Sequence, residues 1–279
     1  MTITVRELAY YPVKGCAGTT VDSAQVLGTG LGHDRTFMVV DAADGAFRSQ
    51  RTHPAMAAIS VDVLAAGATL ALTTAGIEPL HLDVDPHGPR LDVSMFDRPL
   101  GAAIDQGDAV AEWFSDALGV KSRLVRVAPG FDRDGWGDTP GKVNFADAHA
   151  VLVASTASLD DLNARITARG DAKPVPMNRF RPNIVLTGND EPHFEDRVRR
   201  MTIGSVELAH SVRAMRCAVP MVDQTTGHRA GPEPIRTLST YRREPEYGNK
   251  VSFGAKNAVV CEGTVSVGDV VEVAEWLGV

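Results

Sequence analysis

Five short segments of this sequence combine cations, an amide or a thiol in a way that a structural loop does not need. They are YPVKG (11–15), GHDRTF (32–37), RSQR (48–51), FRPNIVL (180–186) and RCAVPMVD (216–223). Lysines and arginines from separate loops can converge on one anion, and a thiolate is a soft metal ligand that a neighbouring arginine favours. Taken singly, Lys14 and Arg35 also read as solvated charges, and Cys217 as a small buried hydrophobe.

Several familiar catalytic patterns do not fit. The glycines of GTGLG (28–32) precede no predicted helix, so this segment is not a dinucleotide-binding loop. The sequence has no Walker A motif, no GxSxG and no HExxH, and its 8 histidines never form a close metal-ligand pair. A zinc site is therefore disfavoured.

Composition narrows the class of protein further. The chain has 279 residues, of which 44% are hydrophobic, with a net charge of −7, which disfavours a general nucleic-acid binder. Its 3 cysteines are too few for a disulfide framework or for an iron–sulfur cluster held by four thiolates. The start of the chain lacks an apolar secretory region, and no apolar stretch reaches the ~20 residues of a membrane span. We therefore expect a cytoplasmic protein.

The elements that must position these residues are predicted to be short strands and two helices. Runs of β-branched and apolar residues predict strands at 3–8, 36–40, 59–64, 80–84, 183–186, 201–203, 206–209 and 264–273. One helix is expected after an Asp108 cap and to end at Gly119, and a second to run from Ser158 to Arg169 and stop at Gly170. The absence of strand–helix alternation disfavours a doubly wound sheet.

The predicted fold class is thus mainly β with a few helices (α+β), built as a barrel or sandwich. The loop 129–142, rich in glycine, aspartate and proline, separates two halves. We expect domains at 1–126 and 127–279.

Taken together and in order, YPVKG, LGHDRTFMVVD, SQRTHP, FRPNIVL and RCAVPMVDQTTG resemble the MOSC family of molybdenum-cofactor proteins. The resemblance is to the mitochondrial amidoxime reducing component and its bacterial counterparts, and it spans nearly the whole chain. It implies an N-terminal β-barrel-like domain followed by a MOSC β-barrel domain. It also implies a bound molybdenum cofactor, Mo-molybdopterin, in which a protein cysteine adds a sulfur ligand.

The resemblance implies a role for each matching residue. The catalytic residues implied are Cys217, which matches the metal ligand, and Asp223, which matches a segment that orders the loop or handles protons. The cofactor-binding residues implied are Lys14, Arg35, Ser155, Thr156, Arg181, Asn183 and Arg216. The start of the second helix suits a phosphate because its free N–H groups favour an anion.

The activity that the resemblance implies is reduction of N-hydroxylated compounds, such as amidoximes and hydroxylamino bases. No ferredoxin-type extension is present before Val279, so a separate ferredoxin, flavoprotein or cytochrome is expected to supply electrons. Neither a membrane nor nucleic acid is an expected partner. The substrate pocket is expected to use the loops 131–142 and 229–247.

Other roles remain open. MOSC domains also occur at the end of cofactor sulfurases, which bind pyridoxal phosphate through a separate domain. The chain could therefore be a non-catalytic cofactor carrier or a sulfur relay, and a degenerate, merely structural site is the third alternative.

Overall fold

The computed structural model describes residues 2–170 and 172–278 and shows a mainly β fold, as predicted. In chain order the strands are β1 (Thr4–Tyr10), β2 (Val13–Lys14), β3 (Thr19–Val21), β4 (Ser23–Leu27), β5 (Gly30–Leu31), β6 (Phe37–Asp41), β7 (Ser60–Leu64), β8 (Thr69–Thr74), β9 (Ile77–Asp83), β10 (Arg90–Met95), β11 (Arg98–Asp105), β12 (Ser122–Arg126), β13 (Val151–Ser155), β14 (Ile184–Thr187), β15 (Val198–Ile203), β16 (Val206–Arg216), β17 (Arg243–Glu244), β18 (Lys250–Cys261), β19 (Gly263–Ser266) and β20 (Val271–Trp276).

Helices are few and short. The α-helices of the described residues are α1 (Asp108–Leu118), α2 (Thr156–Ala168) and α3 (Ile235–Leu238). Turns of 3₁₀ helix lie at Pro54–Ala58, Ala65–Gly67, Met177–Phe180, Phe194–Asp196, Val219–Met221 and Pro245–Tyr247. In the described part of the chain, none of these helices is both long enough and apolar enough to cross a membrane.

The first strand of the chain belongs to the same sheet as the strands of the second half. The large sheet runs in the order β20-β15-β16-β18-β13-β14-β1-β3, with β17 beside β18. A second sheet has the order β10-β11-β12-β6-β2, and two three-stranded sheets contain β19-β4-β5 and β7-β8-β9. The chain passes from the large sheet to the second sheet between β1 and β2, at Tyr11 and Pro12. YPVKG therefore lies where the two sheets meet.

Both predicted helices exist, but each differs at its start. The predicted Asp108 cap is wrong: Gly107 precedes the first turn, and the exposed Asp108 carboxylate instead pairs with Arg123 at 2.9 Å. Gly119 ends α1 in the left-handed conformation, as predicted. The second helix, α2, begins at Thr156, two residues before the predicted start, because the Ser155 hydroxyl accepts the N–H of Ser158 and caps it.

The single strand predicted at 264–273 is wrong, because the structure has two strands there. A turn at Gly268, with φ 93°, separates β19 from β20, and the Asp269 carboxylate accepts the N–H of Ser266 at 2.7 Å. β19 pairs with β4 and β20 with β15, so the two strands belong to different sheets. The alternating pattern continues through the turn, so periodicity could not reveal it.

Two hydrophobic clusters hold the elements around the sheet junction in place. Trp113 and Phe114 of α1 pack into a core with Leu70 and Leu72 of β8. Behind the large sheet, α2 packs with Phe180 and Phe253, whose rings stack with centroids 3.8 Å apart. Phe180 directly precedes Arg181, so this stack holds the start of FRPNIVL in place.

Candidate functional site

A cleft lies where residues of the large sheet and the second sheet meet, and it encloses about 820 Å³, open solvent at its mouth included. Its lining contains six of the predicted site residues: Lys14, Arg35, Arg181, Asn183, Arg216 and Cys217. They come from four of the five segments singled out from the sequence: YPVKG, GHDRTF, FRPNIVL and RCAVPMVD. The structure therefore brings together cations, an amide and a thiol that lie up to 200 residues apart in sequence.

Arg35 is fixed by a buried carboxylate and an aromatic ring. Its backbone is left-handed, with φ 49°, and its guanidinium donates to Asp34 Oδ2 at 2.6 Å and to Asn183 Oδ1 at 3.2 Å. The guanidinium carbon lies 4.5 Å from the centre of the Tyr11 ring. Burial acts to lower the pKa of Arg35, but Asp34 raises it above its usual value. Arg35 is therefore a permanent, rigidly held charge.

Arg181 lies over the same ring and keeps a free donor. Its backbone is also left-handed, with φ 56°, and its guanidinium carbon is 4.1 Å from the Tyr11 ring centre. Nη1 donates to Gln224 Oε1 at 3.0 Å, whereas the buried Nη2 has no hydrogen-bond partner among the described residues. Burial lowers the pKa of Arg181 to about 10. A buried cation with an unpaired donor beside Arg35 is suited to an anionic ligand.

Asn183 lines the cleft, but its amide is fully engaged within the protein. Oδ1 accepts from Arg35 and from the Leu152 N–H at 3.1 Å, while Nδ2 donates to Ala9 O at 3.2 Å and to Asp34 Oδ1 at 3.0 Å. An asparagine amide has two donors and room for two acceptor contacts, so all four positions are filled. Its side chain therefore positions Arg35 and Asp34 rather than offering a hydrogen bond to a ligand.

A carboxylate and a second lysine, neither singled out from the sequence, complete the polar floor. Lys14 is buried and paired with Asp147, and Lys256 of β18 lines the same cleft. Loss of water acts to raise the pKa of Asp147, but Lys14 and Lys256 hold it well below its usual range. Burial lowers the pKa of Lys256 to about 8. The charge of Lys256 within the buried strand GAKNAVV was the available sequence signal.

Cys217 follows the last residue of β16 and is a free, half-buried thiol in the cleft. Its neighbour Arg216 donates to the Phe180 carbonyl at 2.5 Å and lies over the Phe180 ring, with its buried Nε unpaired. Burial lowers the pKa of Arg216, and the Cys217 sulfur acts to raise it. The thiol thus stands in an electropositive, accessible position.

Asp223 does not line the cleft. Its carboxylate accepts from Arg179 at 3.0 Å and from the N–H groups of Thr225 and Thr226, both at 3.0 Å. Arg179 in turn donates to the Pro220 carbonyl at 3.3 Å. These contacts order the loop that follows Cys217, which is one of the two roles that the resemblance implies for Asp223.

Ser155 and Thr156 are also absent from the cleft lining of the described residues. Ser155 is fully buried, where it caps α2 and donates to Glu195 Oε2 at 2.8 Å, and Ser158 donates to the same carboxylate. The Thr156 hydroxyl donates to Thr187 Oγ1 at 3.1 Å. The Ser155 hydroxyl is therefore engaged by the cap and by Glu195.

Glu195 gives this region a testable pH dependence. Burial raises its pKa from 4.5 to about 7, with the neighbouring Asp196 adding to the rise. An acid whose pKa is raised by folding stabilises the fold below its unfolded pKa, and that contribution is lost as pH rises through the folded pKa. We expect the unfolding free energy of Glu195→Gln to rise relative to that of wild type as the pH increases from 5 to 8, because glutamine does not ionise.

Urea unfolding of both proteins at the two pH values measures this difference. Glu112→Gln, at an exposed position of α1, is the matched control and should show no such change. An equal difference between Glu195→Gln and wild type at pH 5 and at pH 8 would rule out Glu195 as the titrating group.

Comparisons with known proteins agree with this arrangement. Residues 2–121 match the family described as "MOSC N-terminal beta barrel domain" and residues 140–272 match "MOSC domain". The chain is 34% identical to mitochondrial amidoxime-reducing component 1 of Mus musculus, over 95% of this chain and 81% of that protein. It is 32% identical to the Homo sapiens protein of that name, with the same coverage.

A second group of relatives is much longer than this chain. Molybdenum cofactor sulfurase of Oryza sativa subsp. japonica is 29% identical over 90% of this chain, but that match spans only 32% of the sulfurase. Both groups therefore share the two MOSC regions of this sequence. The chain belongs to the MOSC family.

Proposed function

We propose that this chain is a molybdenum-cofactor-dependent reductase of N-hydroxylated compounds, such as amidoximes and hydroxylamino bases. The observation that carries the proposal is the cleft that places the Cys217 thiol beside Lys14, Arg35, Arg181 and Arg216. One group of relatives is named for amidoxime reduction and the other for the molybdenum cofactor, and both names support this proposal.

The residues of the cleft fit an anionic cofactor that carries a soft metal. Two buried guanidinium atoms, Arg181 Nη2 and Arg216 Nε, have no partner within the described protein, and hydrogen-bond acceptors of a phosphate would satisfy them. Cys217 offers a thiolate, which is a soft sulfur donor to a metal. Lys14, Arg35, Arg181 and Arg216 would hold the cofactor, with Cys217 as the metal ligand. Contact of Ser155 or Thr156 with it stays a prediction.

When bound, the cofactor supplies the two-electron removal of oxygen from the substrate. Reduction of an N–O bond consumes two electrons and two protons and releases water. Lys256 Nζ, with a pKa of about 8, is the group in the cleft that can release a proton near neutral pH. Burial lowers the pKa of Lys14 and its ion pair with Asp147 opposes that shift, so we assign Lys14 to anion binding.

The electrons are proposed to come from a separate ferredoxin, flavoprotein or cytochrome. The 3 cysteines of this sequence cannot ligate a cluster that needs four thiolates. Cys16 is fully buried, Cys261 is exposed and Cys217 lines the cleft. The electron donor can be identified by testing which purified ferredoxin, flavoprotein or cytochrome restores turnover.

The second candidate function is a cofactor carrier or sulfur relay without catalysis, and the similarity to the sulfurase favours it. A carrier would use the same cations and the same thiol. Both functions predict molybdenum in the purified protein, so only turnover separates them.

Molybdenum analysis combined with an amidoxime-reduction assay tests the proposal. The protein is expressed in a host that makes the cofactor and assayed with a chemical reductant, which removes the need for the natural donor. We expect about one molybdenum per chain and multiple turnovers. Molybdenum without turnover would favour the carrier, and no molybdenum would contradict both functions.

A further inference from the structure

The mouth of the cleft carries an aromatic residue at an unusual backbone position. Phe96 and Asp97 form the two-residue turn between β10 and β11, with φ 55° and 60°, and Phe96 is 43% exposed. Both φ values are those of a tight hairpin turn that favours asparagine and glycine. A bulky side chain in this conformation is strained, and such strain concentrates at functional positions.

The Phe96 ring is held in place rather than free on the surface. It meets the Phe47 ring edge to face, with centroids 6.0 Å apart at 88°, and the Phe47 N–H donates to Ser94 O of β10 at 2.9 Å. Lys14 Nζ lies 5.0 Å from the Phe47 centroid and 5.9 Å from the Phe96 centroid. The two rings therefore stand directly beside the buried lysine of the cleft.

Arg51 completes this group at the exposed side. Its guanidinium carbon is 4.7 Å from the Phe96 centroid, and it lines the same cleft. Within residues 2–170 and 172–278, no carboxylate lies within ion-pair distance of Arg51. Lys14 and Arg35, by contrast, are each paired with an aspartate. Arg51 is therefore a cation at the cleft mouth that is free for an anionic group.

The remaining lining suits the same kind of ligand. Met215, Val219 and Pro220 flank Cys217 in sequence and add apolar surface to the cleft. The loops 131–142 and 229–247, expected from the sequence to line the substrate pocket, contribute no residue to the lining of the described cleft. The aromatic pair and Arg51 thus line the cleft beside Lys14 and are not among the residues assigned to the cofactor.

We propose that Phe47, Phe96 and Arg51 form a substrate subsite that takes a flat aromatic ring carrying a carboxylate. The rings pack against the aromatic plane, and Arg51 donates charge-assisted hydrogen bonds to the carboxylate. The N–O group then extends from the subsite toward Cys217. This inference rests on the proposed function, which it deepens by naming the substrate class.

Steady-state kinetics with three amidoximes and a chemical reductant tests the subsite. Benzamidoxime, 4-carboxybenzamidoxime and acetamidoxime separate the aromatic from the anionic contribution. We expect Phe96→Ala to lower the kcat/KM ratio of benzamidoxime to acetamidoxime about tenfold. Arg51→Gln should lower the ratio of 4-carboxybenzamidoxime to benzamidoxime about tenfold, and Arg51→Lys should restore part of it.

The controls are exposed residues outside the cleft lining, Arg98→Gln on the same hairpin and Leu64→Ala on β7, which should leave both ratios unchanged. Ratios that stay the same in Phe96→Ala and Arg51→Gln would overturn the subsite. A proportional fall for all three compounds would also overturn it, because that result marks a structural role alone.

Equilibrium binding separates failure of the subsite from failure of the proposed function. If the wild-type protein reduces none of the three compounds, the reductase activity is contradicted, but the subsite is still measurable by titration with 4-carboxybenzamidoxime. We then expect saturable binding that weakens about tenfold in Phe96→Ala and in Arg51→Gln. Equal dissociation constants for wild type and both variants, or no binding, would contradict the subsite itself.

Discussion

Replacing Cys217 with alanine is expected to abolish N-reduction while leaving the protein folded. Cys217 is half-buried in the cleft, so its removal leaves no large cavity in the core. Mutating a group that only supports a metal ligand costs 10–100-fold in affinity or activity, and we expect loss of the ligand itself to cost roughly 1,000-fold or more. Amidoxime turnover and the thermal unfolding midpoint, measured on the same preparation, check both halves of the prediction.

The other two cysteines supply the matched controls. Cys261→Ala removes an exposed thiol at the end of β18, and it should retain full turnover. Cys16→Ala removes a fully buried thiol and should lower stability more than activity. If a folded Cys217→Ala protein reduces amidoximes as fast as wild type, Cys217 is not the catalytic ligand.

Replacing Asp34 with alanine is expected to cause the largest loss of stability at the site. The Asp34 carboxylate is buried and accepts from the Tyr11 N–H at 2.8 Å, from Asn183 Nδ2 at 3.0 Å and from Arg35 Nη1 at 2.6 Å. Its removal leaves the Arg35 guanidinium without a counter-ion next to Arg181. Removing one partner of a buried ion pair typically costs about 3–5 kcal/mol of unfolding free energy.

Urea unfolding of Asp34→Ala and Asp34→Asn measures this loss. The asparagine variant keeps an acceptor for Tyr11 and should lose less stability than the alanine variant. Added sulfate should recover part of the loss, because an anion that enters the cleft can pair with the uncompensated charge of Arg35 and Arg181. Asp116→Ala, at an exposed position of α1, is the control. A loss no larger than that control would show that the ion pair does not organise the cleft.

Short-range signals in the sequence predicted the fold class, α1, α2 and part of the strands, whereas strands such as β13 and the long β18 were not predicted. Runs of β-branched residues predicted strands such as β6 and β14, and Gly119 marked the end of α1. The start of α2 and the turn at Gly268 were missed, since each depends on a single hydrogen bond from a backbone N–H to a side chain, that of Ser155 or of Asp269. Such bonds leave little trace in periodicity.

The residues of the cleft were predictable only where a family motif contains them. Lys14, Arg35, Arg181 and Cys217 lie in recognisable segments, and the structure brings all four to one cleft. Asp147 and Lys256 belong to no such motif and reach the cleft only because β13 and β18 pair in the large sheet. A helix start suits an anion, but Ser155 is turned into the core by its bond to Glu195.

The left-handed backbone conformation of Arg35 and Arg181 was also not predictable from the sequence. Arg35 and Arg181 adopt φ 49° and 56°, a backbone conformation that residues other than glycine rarely adopt. Their ring contacts to Tyr11 and their bonds to Asp34, Asn183 and Gln224 keep them there. No local pattern predicts this geometry, because the contacts that stabilise it join segments far apart in the sequence.

Molybdenum X-ray absorption spectroscopy of the purified protein tests the central claim most directly. The number of sulfur atoms around the metal is compared between wild type and Cys217→Ser, a variant that retains the cations of the cleft. The account predicts one sulfur neighbour fewer in the variant than in wild type, with molybdenum still bound. An unchanged sulfur count, or a wild-type protein without molybdenum, would contradict it.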